Sequence, residues 1–370
     1  MLFLGNAREG LYLAVRHVWR TVKYFLEFLA GDFSGLSKAP VSAKSALKLR
    51  QLAITSPIRT APFPSSEEVF EECRRIHEEV GAWPISFSYP RLARDPTKTP
   101  KPVLCPVFPG HRYSFQDETT YMETYAAYSF ALTHRKSGWD CFRHVEILAA
   151  GSIPFMPDVG LIPPGTMVHY PKKFLHDVSR HLSRARGSVP ADVGQELRAY
   201  FNQNLTSEAM ARYLLRIAAP QGPGPVVFFD EVLGRVPDYQ SVLTLVGLKQ
   251  ALGNRVVVPF RVPYVYEDWD GASQGLYGRG FGYSRVLPES LRSPEESAEG
   301  SPGISPRLLE DASLLIVGNV SRNFEGALKL LDLFPASKTV WIDGEDQAPT
   351  PEEISRCRDL GVTFFVRELV

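Results

Sequence analysis

Short apolar runs alternate with longer amphipathic stretches along the second half of the chain. The amphipathic stretches predict helices at Tyr239–Leu252, Glu325–Leu333 and Pro351–Leu360. The apolar runs predict buried strands at Val226–Phe229, Arg255–Pro259, Ser313–Val317, Lys338–Ile342 and Thr363–Val366. This alternation is typical of a parallel, doubly wound sheet. The segment Pro288–Pro306 is dense in Ser, Pro, Glu and Gly, which predicts a mobile surface loop.

A second series of this kind lies earlier in the chain. A helix-like stretch from Tyr121 leads into a predicted strand at Ser129–His134, and a loop then precedes a helix that starts near Asp140. The next apolar run, Ser152–Met156, predicts another buried strand. Two further helices are predicted at Ala191–Asn204 and Ser207–Ile217, the second capped by Thr206.

Chain length and a breaker segment predict two domains. The chain has 370 residues, which exceeds what a single hydrophobic core usually supports, and Gln221–Pro225 interrupts it with glycine and proline. We therefore expect an α/β fold of two Rossmann-like, doubly wound domains, at 84–220 and 221–370, with a cleft between them.

Residues 1–83 are predicted to be a helical extension and a linker. Apolar residues recur at helical spacing over 11–30, but charged residues are too frequent there for a membrane-spanning helix. The basic side of this helix suits an anionic membrane surface, so peripheral membrane contact of a cytoplasmic protein is one prediction. The favoured alternative is a helix that docks on the protein itself. Gly31–Pro64 resembles a linker, and Ser65 predicts the start of a helix to about Val80.

Composition excludes several classes of function. Lysine plus arginine and aspartate plus glutamate number 41 each, so no global basic field exists and nucleic acid is not an expected partner. Hydrophobic residues make up 44% and charged residues 22%, as in ordinary globular proteins. The four cysteines form no CxxC pair, so we expect neither a zinc site nor a disulfide framework.

The loop and helix of the earlier series contain groups suited to a nucleotide-linked sugar. A diphosphate can be bound by a helix N-terminus and nearby cations, which the helix near Asp140 and Arg135, Lys136 and Arg143 provide. Glu146, three residues after Arg143, could accept hydrogen bonds from both ribose hydroxyls. The alternatives are that Arg143 and Glu146 form only a surface ion pair, and that Arg135 and Lys136 lie in a solvated turn.

A longer motif surrounds this helix: Gly138-Trp139-Asp140-Cys141-x-Arg143-His144-x-Glu146-Ile147-Leu148-Ala149-x-Gly151-x-Ile153-Pro154. It resembles the donor-binding signature of exostosin-like and related GT-B glycosyltransferases. The resemblance implies that Glu146 holds the ribose of a UDP- or GDP-linked sugar while basic residues hold its diphosphate. It also implies that no metal or other cofactor is needed. The predicted donor-binding residues are His134, Arg135, Lys136, Gly138, Trp139, Asp140, Arg143 and Glu146.

Three segments of the second half resemble the partner half of the same enzymes, and the whole resemblance covers roughly Pro84 to Val370. They are Pro237–Ser241, Leu276–Phe281 and Ile342–Asp346. Family members place the Asp-Tyr-Gln half first, whereas this chain has it second. The reversed order predicts a circular permutation, in which Phe364–Leu369 would lead into Pro84–Pro90.

Transfer of a sugar also needs an oriented acceptor hydroxyl and, in inverting enzymes, a base. Open α/β sheets place such groups at the carboxyl ends of their strands. Three favoured catalytic candidates, Asp343, Glu345 and Asp346, follow the predicted strand Lys338–Ile342 and surround Gly344. The fourth, Asp238, directly precedes the predicted helix Tyr239–Leu252. Further candidates are Asp230 and Glu231. For each of them the alternative is a solvated acidic turn. The predicted acceptor-side residues are Tyr239, Tyr277 and Arg279.

The predicted function is therefore transfer of a sugar from a nucleotide-sugar to a glycan, lipid or small-molecule acceptor. The alternative function is a catalytically inactive GT-B-like module that binds a sugar nucleotide or a protein. The presence of both Arg143 and Glu146 favours the enzyme. An NAD-dependent dehydrogenase is disfavoured, because no G-x-G-x-x-G follows a first strand.

Overall fold

The computed structural model describes residues 56–57, 62–94, 101–107, 109, 115–184, 187–188, 191–297 and 304–370. The predicted helix at 11–30 and most of the predicted linker Gly31–Pro64 lie outside these residues. The described chain is an α/β fold with three parallel sheets, of six, three and two strands. None of its helices is both long and apolar enough to cross a membrane.

Strands and helices alternate along most of the chain. The strands are β1 (Ser56–Pro57), β2 (Trp83–Pro84), β3 (Lys101–Leu104), β4 (Tyr128–Leu132), β5 (Ile153–Phe155), β6 (Gly187–Ser188), β7 (Val226–Phe229), β8 (Val256–Val257), β9 (Leu314–Val317), β10 (Thr339–Asp343) and β11 (Thr363–Val366). The helices are α1 (Ser66–Val80), α2 (Glu118–Ala126), α3 (Phe142–Ala149), α4 (Lys172–Arg184), α5 (Ala191–Asn204), α6 (Ser207–Ala218), α7 (Tyr239–Leu252), α8 (Pro306–Asp311), α9 (Val320–Leu331) and α10 (Pro351–Leu360).

The largest sheet has the strand order β2-β11-β10-β9-β7-β8, and every neighbouring pair is parallel. Its inner strands β7, β9 and β10 are buried along their whole length, which explains their continuous apolar sequence. The predicted parallel sheet is confirmed. From β7 the chain adds β8 on one side and then β9 on the other, so the order of strand addition reverses between β7 and β9. Open α/β sheets bind ligands outside the carboxyl ends of their strands near such a reversal.

The smaller sheet, β3-β4-β5, contains the predicted β-loop-α-β unit. Phe130 in β4 pairs with Ile153 in β5, and α3 connects the two strands. The helix begins at Phe142, near Asp140 as predicted, and the extended backbone of Cys141 is its N-cap; the Asp140 carboxylate accepts a hydrogen bond from the distant backbone amide of Phe87 (2.7 Å). Gly151, after the helix, has a φ of 83°, a left-handed conformation that favours glycine.

Residues from the earlier part of the chain complete the six-stranded sheet. Trp83 and Pro84 pair with Phe365 and Val366 of β11, so β2 is an edge strand of this sheet. Helix α6 packs closely on α7, where a Cβ added at Gly247 would lie 2.0 Å from the carbonyl oxygen of Ser207. The domain boundary at 221–225 stays a prediction.

Local capping determines where two helices start, as predicted. Ser65 Oγ accepts from the amide of Glu68 (3.2 Å), and the Glu68 carboxylate accepts from the amide of Ser65 (2.7 Å). Thr206 Oγ1 accepts from the amide of Ala209 (3.2 Å) at the start of α6. Helix α4 was not predicted from the sequence pattern.

The prediction of a mobile surface loop at Pro288–Pro306 is wrong for its first ten residues. There the chain forms two short 3₁₀ turns, and the side chain of Glu296 is 1% exposed. Lys249 Nζ lies 3.5 Å from Glu296 Oε1 and donates to Ser293 Oγ (2.8 Å), while Tyr266 donates to Glu296 (2.6 Å). A buried ion pair therefore anchors a segment whose composition suggests disorder.

Replacing Lys249 with Met should destabilise the fold. The substitution leaves a buried carboxylate at Glu296 without its cation, which costs about 3–5 kcal/mol of unfolding free energy. Urea unfolding at neutral pH measures the change, and the double variant Lys249→Met/Glu296→Gln should recover part of it.

The matched control is Arg75→Met on α1, where the arginine side chain is 56% exposed and pairs with Glu72 and Glu79. We expect its unfolding free energy to stay close to that of the parent, because exposed ion pairs contribute little. Equal effects of Lys249→Met and Arg75→Met would contradict the role of the buried pair.

Candidate functional site

A cavity of about 400 Å³ is lined by residues that follow strands of both larger sheets in the chain. Its lining follows β2, β4, β7 and β10 in the chain, which is the position at which open α/β sheets bind ligands. The lining residues are Phe87, Tyr121, Lys136, Ser137, Gly138, Asp140, Cys141, Phe142, Arg143, Glu146, Tyr239, Leu276, Tyr277, Gly278, Arg279 and Asp346.

Helix α3 contributes two of the predicted donor-binding side chains to this cavity. Arg143 lies in its first turn and Glu146 in the next, and both line the cavity. Cys141 at the N-cap makes no side-chain cap hydrogen bond, so no cap competes for the first backbone amides. The helix N-terminus, a cation and a carboxylate therefore border one space.

Two cations at the cavity lack protein partners. Among the described residues, the side chains of Arg143 and Lys136 make no hydrogen bond and no ion pair within 4 Å. Arg143 is half-buried, and Lys136 is exposed. The alternative of a surface ion pair between Arg143 and Glu146 is thus not present. Both cations can accept an anionic ligand without breaking an existing pair.

Glu146 is a buried carboxylate, 5% exposed, with a defined partner. The hydroxyl of Tyr121 donates to Glu146 Oε2 at 2.8 Å. Burial raises the pKa of the Glu146 carboxyl to about 7, although the Tyr121 hydrogen bond and the charge of Arg143 oppose this rise. Near neutral pH the carboxyl is therefore divided between its charged and neutral forms.

Asp140 holds the loop before α3 in place. Its backbone amide donates to Glu368 Oε1 (2.8 Å), and its carboxylate accepts from Phe87. Burial raises the pKa of the Asp140 carboxyl to about 7, and the charge of Arg367 opposes the rise. A Cβ added at Gly138 would lie 2.5 Å from Glu368 Oε1, so this approach of the loop requires glycine.

Arg367, 1% exposed, joins this loop to the loop after β10. Its Nη2 donates to Asp346 Oδ1 (2.6 Å) and to the carbonyl of Gly344 (2.9 Å), and its Nη1 donates to the carbonyl of Asp140 and to Glu368 Oε1. Its guanidinium also lies 4.3 Å from the ring centroid of Phe87. One buried cation thereby fixes two cavity walls relative to each other.

The predicted acceptor-side residues form the opposite wall. The ring of Tyr239 stacks on Phe142, with centroids 4.4 Å apart, and contacts Tyr277 at 5.1 Å. Arg279 donates to the carbonyl of Phe115 (2.6 Å), which brings the 276–283 segment onto the earlier part of the chain. A Cβ added at Gly278 would lie 1.9 Å from Tyr239 Oη, so no other residue fits there without movement.

Of the four favoured catalytic candidates, only Asp346 lines the cavity. Asp343 Oδ1 accepts from the amide of Glu345 (3.0 Å) and so shapes the turn after β10. Glu345 accepts from the Asn319 side chain (3.2 Å), and Asp238 is the N-cap of α7. Among these four, Asp346 is the carboxylate that a ligand in the cavity would meet.

The further candidates Asp230 and Glu231 lie outside the cavity lining. Asp230 is buried and accepts from Arg322 Nη2 (2.6 Å) and from the Ser241 hydroxyl (2.5 Å). Its carboxylate therefore fastens α7 and α9 to the end of β7. Glu231 is exposed.

Three predicted donor-binding residues also lie outside the cavity lining. The guanidinium of Arg135 donates to the carbonyl of Ser137 and lies 4.9 Å from the ring centroid of Trp139. Trp139 is buried, and His134 Nδ1 contacts the carbonyl of Arg135. These side chains stabilise the loop that carries Lys136 and Gly138.

The sequence pattern did not single out Tyr121, Phe87, Arg367 or Glu368 as site residues. Arg367 and Glu368 directly follow an apolar strand, and that position was a usable signal. Nothing in the sequence connects Tyr121 to Glu146. No group of three or more His, Cys, Asp or Glu suited to a metal ion occurs among the described residues.

Replacing Glu146 with Gln should change how stability depends on pH. Folding raises the pKa of this carboxyl from 4.5 to about 7, so its contribution to stability is present below pH 4.5 and is lost as pH rises through 7. Relative to that of the parent, the unfolding free energy of the variant should therefore rise by about 3 kcal/mol between pH 4.5 and pH 8.

Urea unfolding at both pH values measures this gain, with Glu123→Gln, an exposed glutamate of α2, as the control. The control should follow the parent at both pH values. If the difference in unfolding free energy between Glu146→Gln and the parent is the same at both pH values, the pKa of Glu146 is not raised in the folded chain.

Comparison with protein-family models, with curated proteins and with solved structures found no match for this chain.

Proposed function

We propose that this chain is a glycosyltransferase that binds a UDP- or GDP-linked sugar in the cavity at α3. The observation that carries the proposal is that one cavity holds a fixed, buried carboxylate, Glu146, and two cations, Arg143 and Lys136, that make no hydrogen bond or ion pair within 4 Å among the described residues. The cations suit a diphosphate, and the carboxylate suits a ribose hydroxyl. A cavity of about 400 Å³ lies in the ordinary range for small-ligand sites.

The proposed architecture is a GT-B-like pair of domains with the donor on α3 and the acceptor on the wall formed by Tyr239, Tyr277 and Arg279. The proposed circular permutation is supported by the adjacency of β2 and β11, where Pro84 pairs with Val366. The acceptor would be a glycan, lipid or small molecule, and no cofactor would take part.

Asp346 is the proposed base. It lines the cavity and is half-exposed, so an acceptor hydroxyl can reach it. Its Oδ1 accepts a hydrogen bond from Arg367 Nη2 (2.6 Å), which holds the carboxylate at the cavity wall, where it can accept a proton from an acceptor hydroxyl. Asp343 and Asp238 are less suited to this role because their oxygens are engaged by backbone amides.

A catalytically inactive nucleotide-binding module is the second candidate function. It is favoured by the same ion pair, since Asp346 Oδ1 already accepts a hydrogen bond from Arg367 (2.6 Å). Release of nucleotide from a nucleotide-sugar in the presence of candidate acceptors distinguishes the two functions.

For the enzyme, Asp346→Asn should lower kcat by about 10²–10⁴-fold with nucleotide binding retained. The control Glu345→Gln should leave kcat close to that of the parent.

Replacing Arg143 with Met should weaken binding of UDP or GDP by about 10–100-fold, because a charge-assisted contact to the diphosphate is lost. Isothermal titration with UDP, GDP and NAD measures the affinities. Arg143 makes no hydrogen bond or ion pair within 4 Å among the described residues, so the substitution should lower the unfolding free energy only through loss of its attraction to the Glu146 carboxylate.

Arg212→Met is the control, since Arg212 is 64% exposed on α6 and distant from the cavity lining. It should bind nucleotides like the parent. Nucleotide affinities that are equal in Arg143→Met and the parent would refute a donor site on α3.

A further inference from the structure

Tyr121 contacts the only carboxylate of the cavity wall on α3. It lies on α2, is 1% exposed, and its hydroxyl donates to Glu146 Oε2 at 2.8 Å. The contact joins α2 to α3 through two side chains that are 25 residues apart in sequence. Because both side chains are buried, no bulk water competes for this hydrogen bond.

A glutamate side chain has three rotatable bonds, so a carboxylate that reads a ligand must be held by something else. The Tyr121 hydroxyl occupies one lone pair of Glu146 Oε2 and thereby sets the plane of the carboxylate. Glu146 still lines the cavity, so its remaining acceptor capacity faces that space. A fixed acceptor favours ligands that offer a hydroxyl at one position.

The ring of Tyr121 is itself clamped by three aromatic residues. Its centroid lies 5.3 Å from Phe115, 5.0 Å from Tyr125 and 5.7 Å from Phe281. Phe281 belongs to the segment that carries Arg279, and Arg279 donates to the carbonyl of Phe115. The second half of the chain therefore helps to hold the orientation of Tyr121.

We propose that Tyr121 is a positioning residue that orients the Glu146 carboxylate and makes the site discriminate ribonucleotides from deoxyribonucleotides. The inference rests on the proposed function, since it assumes that Glu146 faces the ribose of a bound nucleotide. Tyr121 also lines the cavity, but its hydroxyl already donates to Glu146. It acts by restricting where Glu146 can accept a hydrogen bond.

The test is isothermal titration of UDP or GDP, whichever binds the parent more tightly, together with its 2′-deoxy and 3′-deoxy forms. At pH 8, above the raised pKa of Glu146, we expect one deoxy form to bind the parent about 10–100-fold more weakly than the ribonucleotide, as for loss of a hydrogen bond to a charged group. In Tyr121→Phe this ratio should fall to within about 3-fold of unity, with binding of the deoxy form unchanged.

Tyr200→Phe is the matched control, because Tyr200 on α5 is also buried, loses the same hydroxyl, and donates to the carbonyl of His169 (2.8 Å), outside the cavity lining. It should keep the parent's ratio. A second variant, Phe281→Leu, loosens the clamp without removing either polar atom, so it should lower the ratio in the same direction and keeps the test valid if Tyr121→Phe folds poorly.

The outcomes separate this inference from the proposed function. If the parent binds nucleotides and Tyr121→Phe weakens the ribose and deoxyribose forms equally, Tyr121 has only a structural role and the inference fails alone. A parent that binds both forms equally also overturns it alone. If the parent binds no nucleoside diphosphate, the proposed function fails, and the inference fails with it.

Discussion

The arrangement of the cavity depends on the burial of one guanidinium. A buried arginine is tolerated only when its donors are satisfied, because an unpaired charge in the interior is very costly. Arg367 meets this requirement with partners from two separate loops, the carbonyls of Asp140 and Gly344 and the carboxylates of Asp346 and Glu368. Moving either loop would leave some of these donors unpaired, so the two walls have one relative position.

This arrangement decides which charges are left for a ligand. The carboxylate of Asp140 accepts from a backbone amide, that of Glu368 accepts from Arg367 and from the Asp140 amide, and that of Glu146 accepts from Tyr121. The cations Arg143 and Lys136 have no such partners among the described residues. The cavity therefore combines neutralised or fixed carboxylates with available positive charge, and this combination favours an anionic ligand that also carries hydroxyl groups.

Much of the parallel sheet could be predicted because its pattern is local. The bounds of β7 and α7 agree with the apolar run Val226–Phe229 and the stretch Tyr239–Leu252, since burial on both faces leaves a continuous apolar signature. Arg143 and Lys136 could be predicted from their positions around a helix start. The roles of Arg367 and Asp346 could not be separated from the sequence alone. Arg367 contacts Asp140, which lies 227 residues earlier in the chain. Asp343 and Asp346 belong to the same turn, and only the hydrogen bonds of the folded turn distinguish their carboxylates.

The most direct measurement is a crystal structure of this chain with the nucleoside diphosphate that binds most tightly. We expect phosphate oxygens within hydrogen-bonding distance of Arg143 and Lys136, a ribose hydroxyl on Glu146, and Arg367 still bound to both loops. A nucleotide bound elsewhere on the chain, with the α3 cavity unchanged, would contradict it.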